Sequence, residues 1–311
     1  MKVIKYGTIP KGYLEVDKTV ELKPLIETEL SNPQGLAYDR TAKRLYVTDP
    51  RAGKIFFYDL DFSELSAGVV KLKGGQKVAV DSVEPRWVAV DSQGSIFFTD
   101  ESANKVQSVP ADQTTTATFL QGNAPATPRV VFEFPPTSFV SRPGGIATDG
   151  SHVYWGNKEE GKAVGSVVKG TEGGDKEDSG IAIASVTDKV YGVCLASDKL
   201  LFLDGNSGNV YGVRKAGGAV TTVVQLQKPR GCAFDSDATV FVTDKGTGTV
   251  VSIATGGSLS PRQGREVTAR GALADVFGIA VAREVPRTFS FFGWASSSAS
   301  STVGSVESAL W

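Results

Sequence analysis

Short runs of Val, Ile, Leu, Phe and Tyr recur along the chain, separated by turns rich in Gly, Asp, Asn and Ser. Such runs, alternating or continuously apolar, are typical of β-strands, and no stretch shows sustained apolar positions at helical spacing. Five segments share one pattern, in which a strand begins near a Gly and a second strand closes 12 to 14 residues later in an acid or amide. The closing residues are Asp49, Asp100, Asn157, Asp204 and Asp244.

The same pattern predicts the architecture. A sixth start, at 276–281, follows the five complete segments, and the starts are 39 to 58 residues apart. About four short strands in each unit of 40 to 50 residues are typical of propeller blades. The sequence therefore predicts an all-β fold, a six-bladed β-propeller.

The two ends of the chain predict how the ring closes. The sixth unit has strand-like chain at 278–282 and 287–292, which is too little for a whole blade. The N-terminus has strand-like chain to spare at 3–6 and 19–26. Closing a ring leaves only short strand edges open, so we expect residues 1–28 to complete blade six.

One domain boundary follows from this arrangement. The propeller is expected over 1–294, followed by a Ser- and Ala-rich C-terminal extension, 295–311, in which only Glu307 is charged. Its composition is that of a flexible tail, and a partner is one account of how such a tail becomes ordered.

The repeats resemble those of the NHL-repeat and YWTD six-bladed propellers. The resemblance rests on the Pro-x-Gly-apolar-Ala-x-Asp starts and on segments such as Tyr-Val-Thr-Asp (46–49), Tyr-Trp-Gly-Asn (154–157) and Phe-Val-Thr-Asp (241–244). It covers roughly residues 30–282 and the N-terminal strands, and it implies the fold. It leaves function open, since propellers of this kind serve as receptors, scaffolds, lyases and hydrolases.

Charge and composition narrow the classes of partner and site. Lys and Arg number 33 against 34 Asp and Glu, a net charge of -1, so we expect no nucleic-acid partner. His152 is the only histidine, which argues against His-rich metal sites and His-dependent triads. No apolar run is long enough to span a bilayer, and no signal peptide is visible, so the cytoplasm or an organellar lumen is favoured over the extracellular space.

The recurring acids and the variable positions predict different roles. A carboxylate repeated in every blade is expected to accept backbone N–H groups of the adjoining turn. The residue at the start of each inner strand varies instead, and Arg142 and Lys228 add positive charge nearby. Trp87 stands where the other repeats have Gly, as a packing plug or an exposed anchor. We therefore predict a binding rim around one mouth of the channel, made by Gln34, Arg86, Trp87, Tyr191, Arg230 and Phe277.

The favoured function is a non-catalytic protein- or ligand-binding propeller, a scaffold or accessory subunit with a protein partner and no cofactor. The alternative is a lactonase- or hydrolase-type propeller with a divalent metal such as Ca²⁺ in the channel. Resemblance to lactonase propellers implies an Asn before the Gly-Leu-Ala of an inner strand, where this chain has Gln34. Asp49 and Asp204 are the metal-ligand candidates under that alternative.

Two insertions interrupt the repeat. Residues 110–129 and the acidic segment 170–180 interrupt blades two and three, and are expected on the face opposite the rim.

Cys194 is two residues after Gly192, whereas Cys232 is one after Gly231. Because side chains alternate along a strand, the two thiols are expected to point to opposite faces and to form no disulfide.

Overall fold

The computed structural model describes residues 2–9, 19–27, 29–114, 125–133, 139–158, 165–174, 180–185, 189–257, 259–285 and 288–296. In chain order the strands are β1 (Lys2–Ile9), β2 (Lys23–Ile26), β3 (Leu36–Asp39), β4 (Arg44–Asp49), β5 (Lys54–Asp61), β6 (Lys71–Leu72), β7 (Lys77–Asp81), β8 (Pro85–Val90), β9 (Ile96–Asp100), β10 (Lys105–Val109), β11 (Arg129–Glu133), β12 (Pro143–Thr148), β13 (His152–Asn157), β14 (Ser166–Thr171), β15 (Ile181–Ser185), β16 (Val190–Ala196), β17 (Lys199–Asp204), β18 (Asn209–Arg214), β19 (Thr221–Gln225), β20 (Pro229–Phe234), β21 (Thr239–Asp244), β22 (Thr249–Ala254), β23 (Arg265–Glu266), β24 (Ile279–Val285) and β25 (Thr288–Ser296). The described helices are a 3₁₀ turn, Leu65–Ala67, and α1 (Ala111–Thr114).

The strands form six antiparallel sheets, and the chain is a six-bladed β-propeller, as its repeats predicted. Blades two to five are the sheets β8–β11, β12–β15, β16–β19 and β20–β23, each hydrogen-bonded in chain order. Blade one holds β3 to β7, with both β6 and β7 paired to β5. The inner strands β3, β8, β12, β16, β20 and β24 surround the central channel. We call the face on which these strands begin the mouth face, and the other the opposite face.

Blade six contains both ends of the described chain. Its sheet has the order β2-β1-β25-β24, and β1 pairs with β25 over its whole length, from Lys2 opposite Ser296 to Ile9 opposite Phe289. The strand expected over 19–26 is shorter, since only β2 joins this sheet. Val20 instead donates its N–H to the carbonyl of Val267, at 2.7 Å, and packs in the apolar cluster between blades five and six.

The C-terminal strand also reaches further than expected. β25 includes residues 295 and 296, which the composition assigned to the extension. The rest of the extension, 297–311, lies outside the described residues. So do 115–124 of the first insertion and 175–179 of the second.

Three threonines join neighbouring blades. Thr48, Thr99 and Thr243 each precede a repeated acid, and each is fully buried. The Thr48 hydroxyl accepts the N–H of Gly35 in its own blade and donates to the carbonyl of Arg86 in the next, at 2.7 and 3.0 Å. Thr99 does the same between blades two and three, and Thr243 between blades five and six. The hydroxyl therefore links two inner strands that share no ladder hydrogen bonds.

The prediction about the cysteines is wrong. Cys194 of β16 and Cys232 of β20 form a disulfide between the inner strands of blades four and five, with their Cα atoms 5.8 Å apart. Both thiols lie in the cluster between blades four and five, together with Leu201 and Val242. Their side chains do point to opposite faces of their own sheets, as the alternation predicted, but opposite faces of neighbouring blades pack against each other, so the two thiols meet. Disulfides persist in oxidising compartments, whereas the sequence favoured the cytoplasm or an organellar lumen.

Candidate functional site

The central channel is lined by apolar side chains and strand backbone. A cavity of about 260 Å³ lies within it, bordered by residues of all six inner strands, among them Leu36, Val88, Ile146, Val193 and Ile279. The disulfide forms part of the same wall. The charged side chains of the candidate site lie at the mouth of the channel, where the inner strands begin.

The structure separates the six rim residues into buried and accessible ones. Trp87 is only 5% exposed and belongs to an apolar cluster between blades two and three, so it is a packing residue and not an exposed anchor. Gln34 is also buried, and its backbone N–H donates to the carbonyl of Thr48. Arg86, Tyr191 and Phe277 are partly exposed. Arg230 is 8% exposed and is the most buried cation of the rim.

Sequence reasoning missed the residues that complete this mouth. They directly follow the repeated acids, and they vary from blade to blade as the rim residues do: Glu101, Lys158, Gly205 and Lys245. Lys158, Gly205 and Lys245 each lie against the rim residue of the following blade. Variation at a fixed position after an invariant turn residue was a signal available in the sequence.

Glu101 gathers three cations on one side of the mouth. Its carboxylate lies 2.6 Å from Arg86 Nε, 2.7 Å from Lys158 Nζ and 3.5 Å from Arg142 Nη2. Arg86 also donates from Nη2 to Glu84, at 2.6 Å. The Arg86 Nε–H is not directed at the Glu101 oxygen, so that contact is an ion pair without an aligned hydrogen bond. Burial lowers the pKa of Lys158, with Glu101 opposing that change.

On the next side of the mouth, Arg230 is a buried cation that forms no ion pair with any residue the structure describes. Its guanidinium carbon lies 3.9 Å from the centroid of the Tyr191 ring, and Nη1 donates to the carbonyl of Pro229 at 3.2 Å. Its Nε–H is buried and has no hydrogen-bond acceptor among the described residues. Desolvation lowers the pKa of Arg230, while Tyr191, Asp244 and Asp204 oppose that change through space.

Gly205 makes the space in which this guanidinium sits. A Cβ atom at position 205 would lie 1.5 Å from Arg230 Nη1 and 2.9 Å from a ring carbon of Tyr191. Any other residue there would displace the guanidinium. The three residues of blades four and five therefore form one unit, in which the guanidinium lies over the Tyr191 ring and fills the space beside Gly205.

Phe277 covers the remaining part of the mouth. It packs against the apolar cluster of blades six and one and also against the cluster that contains Trp87. Lys245 Nζ lies 4.4 Å from the centroid of the Phe277 ring and 2.6 Å from Asp275 Oδ1. The mouth thus combines apolar rings with cationic groups, a combination frequent at binding hot spots.

The repeated acids hold the turns of their own blades. Asp49 accepts the backbone N–H groups of Ser31, Asn32 and Ala52, at 2.6 to 3.1 Å. Asp244 accepts those of Gln227, Lys228 and Gly246. Asp100 and Asn157 make similar bonds to the turns of blades two and three.

The two metal-ligand candidates do not fit a calcium ion. Asp204 accepts the N–H groups of Asn206 and Ser207 and the hydroxyl of Ser207, so its oxygens, like those of Asp49, face donors. The two acids belong to blades one and four, on opposite sides of the ring. Calcium takes six to eight oxygen ligands around one point. Within the described residues, no group of three or more His, Cys, Asp or Glu is placed to hold a metal ion.

The insertions meet on the opposite face. Arg129, beside the first, donates to the carbonyls of Glu172 and Gly174 in the second. The Glu172 carboxylate contacts the Thr148 hydroxyl and accepts the Gly150 N–H at 3.1 Å. Burial, followed by the charge of Asp91, raises the pKa of Glu172 to about 7. His152 is the first residue of β13, and its Nδ1 lies 3.7 Å from Asp149 Oδ1.

No helix in the described part of the chain is both long and apolar enough to cross a membrane. No protein-family model matches the sequence, and no curated protein matches it either. The comparisons that find likenesses are therefore those with solved structures.

Three of these share the architecture over most of their length. The nidogen/laminin complex contains a chain that is 18% identical, with a TM-score of 0.68, covering 91% of this chain and 99% of that one. A gluconolactonase from Xanthomonas campestris is 11% identical, with a TM-score of 0.61, covering 92% and 97%. Virginiamycin B lyase from Staphylococcus aureus is 13% identical, with a TM-score of 0.53, covering 93% and 99%. At these identities, the likeness is one of fold: the chain is similar to propellers that take part in protein complexes and to propellers that are enzymes.

Proposed function

We propose that this propeller is a non-catalytic binding module, an accessory subunit of a larger assembly, whose protein partner docks on the mouth face. The observation that carries the proposal is the buried cation Arg230, stacked on Tyr191 in a ring of variable residues. Desolvating a charge without pairing it is unfavourable, so such a group is more often a binding group than a stabilising one.

The arrangement of the mouth supports binding in a second way. Side chains that repeat from blade to blade, such as Asp49 and Thr48, maintain the fold. Side chains that differ from blade to blade meet at the channel mouth. A surface that departs from the symmetry of its scaffold is where recognition of one partner is expected.

The nidogen/laminin likeness agrees with a protein partner, and the gluconolactonase likeness is the reason to test for catalysis. The chemistry of the mouth favours binding over catalysis, because the carboxylate of Glu101 is neutralised by three cations. An activated water or a metal would need acceptor groups that are not already paired in this way.

The proposal is tested by quantitative capture from a native extract of the source cells. The baits are the unaltered protein, an Arg86→Ala, Arg230→Ala double variant, and a chain lacking 175–179 of the acidic loop. We expect one set of proteins to be retained by the unaltered protein and the loop deletion and lost from the double variant. Equal capture by all three baits would contradict the proposal. So would a stoichiometric divalent metal accompanied by lactone hydrolysis.

A further inference from the structure

The most unusual group in the described structure is the guanidinium of Arg230. The Arg230 residue is only 8% exposed, yet no carboxylate of the described residues lies within ion-pair distance of its guanidinium. By contrast, Arg44, the other deeply buried arginine, is 3.0 Å from Asp59. Buried charges are normally paired, so Arg230 differs from Arg44 in having no negatively charged partner within the described ranges, and its Nε–H has no acceptor there.

The nearest acids do not supply that acceptor. Asp204 and Asp244 influence Arg230 only through space. Both already accept backbone N–H groups of their own turns, with Asp204 bonded to Asn206 and Asp244 to Lys228. Rotating either carboxylate towards Arg230 would break those turns. Within the described part of the chain, neither acid is therefore available to pair with Arg230.

We infer that the Arg230 guanidinium, held between Tyr191 and Gly205, binds a side-chain carboxylate of an acidic segment in a protein partner. This inference rests on the proposed function and adds the chemistry of the group that is recognised. Arginine presents its N–H groups as a planar fork, which matches the two oxygens of a carboxylate. Stacking on Tyr191 fixes the plane of that fork before the ligand arrives.

The surroundings select a peptide carboxylate over a bare inorganic anion. Tyr191 and Phe277 offer partly exposed apolar rings on either side of Arg230 along the ring of blades. Lys158 Nζ lies 5.7 Å from the centroid of the same Tyr191 ring and is itself only 9% exposed as a residue. An acidic side chain carried on a peptide can pair with Arg230 while its backbone and neighbours cover these rings.

The test uses the full chain and two matched peptides. One is N-acetylated, C-amidated (Gly-Glu)₃, and the other is (Gly-Gln)₃ with the same ends, which has the same shape without the charge. Binding is measured by isothermal titration calorimetry, with inorganic phosphate as a separate probe. We expect the Glu peptide to bind the unaltered protein at least tenfold more tightly than either the Gln peptide or phosphate.

Three variants locate the effect. Arg230→Met removes the charge and keeps the length, and it should weaken binding of the Glu peptide by about tenfold or more. Gly205→Ala leaves Arg230 intact but displaces its guanidinium, which is the end of a flexible side chain, so it should weaken binding similarly while the fold survives. Gly256→Ala is the control, because a Cβ there meets no atom within 4 Å. It should bind like the unaltered protein.

The inference is overturned if the Glu peptide binds the unaltered protein, Arg230→Met and Gly205→Ala equally. It is also overturned if phosphate binds as tightly as the Glu peptide with the same dependence on Arg230. Failure of both peptides to bind, while capture from the extract still depends on Arg86 and Arg230, would contradict this inference and leave the proposed function standing. If neither peptide binds and capture from the extract does not depend on Arg86 and Arg230, both the inference and the proposed function are contradicted.

Discussion

The hydroxyl of Thr243 in blade five donates a hydrogen bond to the carbonyl oxygen of Phe277 in blade six, at 2.6 Å, and accepts the N–H of Gly231 at 2.9 Å. Blades three and four carry Gly156 and Leu203 at the equivalent position. A Cβ atom at Gly156 would collide with Val190 of the next blade. Neighbouring blades are therefore joined by a hydroxyl at some interfaces and by close apolar packing at others.

Replacing Thr243 with Val should lower the free energy of unfolding by about 2 kcal/mol, because two buried backbone groups lose their partner while the side-chain volume is kept. The measurement is urea unfolding monitored by fluorescence. Thr222→Val is the control, since Thr222 is exposed on the strand β19. Equal stability of the Thr243 variant and the control would show that the hydroxyl does not join the blades.

The disulfide between Cys194 and Cys232 should appear as a cross-linked peptide in mass spectrometry under non-reducing conditions. It closes a loop of 38 residues, so its removal should cost about 3 to 4 kcal/mol on the chain-entropy account. Reductant should lower the melting temperature of the unaltered protein and leave a Cys194→Ala, Cys232→Ala variant unchanged. Two free thiols in the native, unreduced protein would refute the bridge.

Glu172 should make stability depend on pH. Its ordinary pKa is 4.5 and burial, with Asp91, raises the pKa to about 7 in the folded protein. Between these values the folded chain binds more protons than the unfolded chain, so the free energy of unfolding falls as pH rises from about 4.5 to 7. Above that range this contribution is constant.

A Glu172→Gln variant should lose this part of the pH dependence, and at pH 8 it should melt at a higher temperature than the unaltered protein. Asp91→Asn should reduce the dependence less, because the charge of Asp91 is a smaller cause than burial. Thermal melts at half-unit intervals of pH measure both effects. Identical curves for Glu172→Gln and the unaltered protein would contradict the raised pKa.

Ring closure through blade six predicts that deleting residues 1–28 exposes the full length of β25. The deletion also removes Ile4, Tyr6 and Ile26 from the apolar cluster shared by blades six and one. We expect aggregation or loss of a cooperative melting transition, because a long unpaired edge is left open. Ile4→Asp, at a fully buried position of β1, should produce the same effect to a lesser degree. A monomeric deletion variant with an unchanged melting temperature would disprove the closure.

The fold was predictable because one pattern of strands and turns recurs along the chain, in five complete segments and a sixth start. Tyr46 and Val47 are followed by Thr48 and Asp49 on β4, and Asp49 holds the adjoining turn. The same four positions can be aligned in the other blades. The burial of Trp87 was not predictable, since a residue near a channel mouth can face either the core or the solvent. The pairing of the cysteines was missed because opposite faces of neighbouring blades pack against each other, and that contact does not follow from the alternation within one strand.

The candidate site was only partly predictable, because it depends on contacts between neighbouring blades. The rim residues Arg86, Tyr191 and Arg230 follow from their position at the start of an inner strand. The role of Gly205 follows only from knowing that the side chain of the next blade occupies its space. Contacts between blades depend on how two repeats pack, which the alignment of the repeats does not show.

The central claim is that the partner covers the mouth face, and two matched lysines test it most directly. Lys245 lies on the mouth face, paired with Asp275 and 27% exposed at its side chain, and Lys215 lies on the opposite face, paired with Asp149 and 24% exposed. Both are acetylated with a limiting reagent in the free protein and in the captured assembly, and the modified peptides are quantified by mass spectrometry. We expect Lys245 to be protected from acetylation in the assembly, and Lys215 to react as it does in the free protein. Protection of Lys215 with Lys245 still reactive would contradict it.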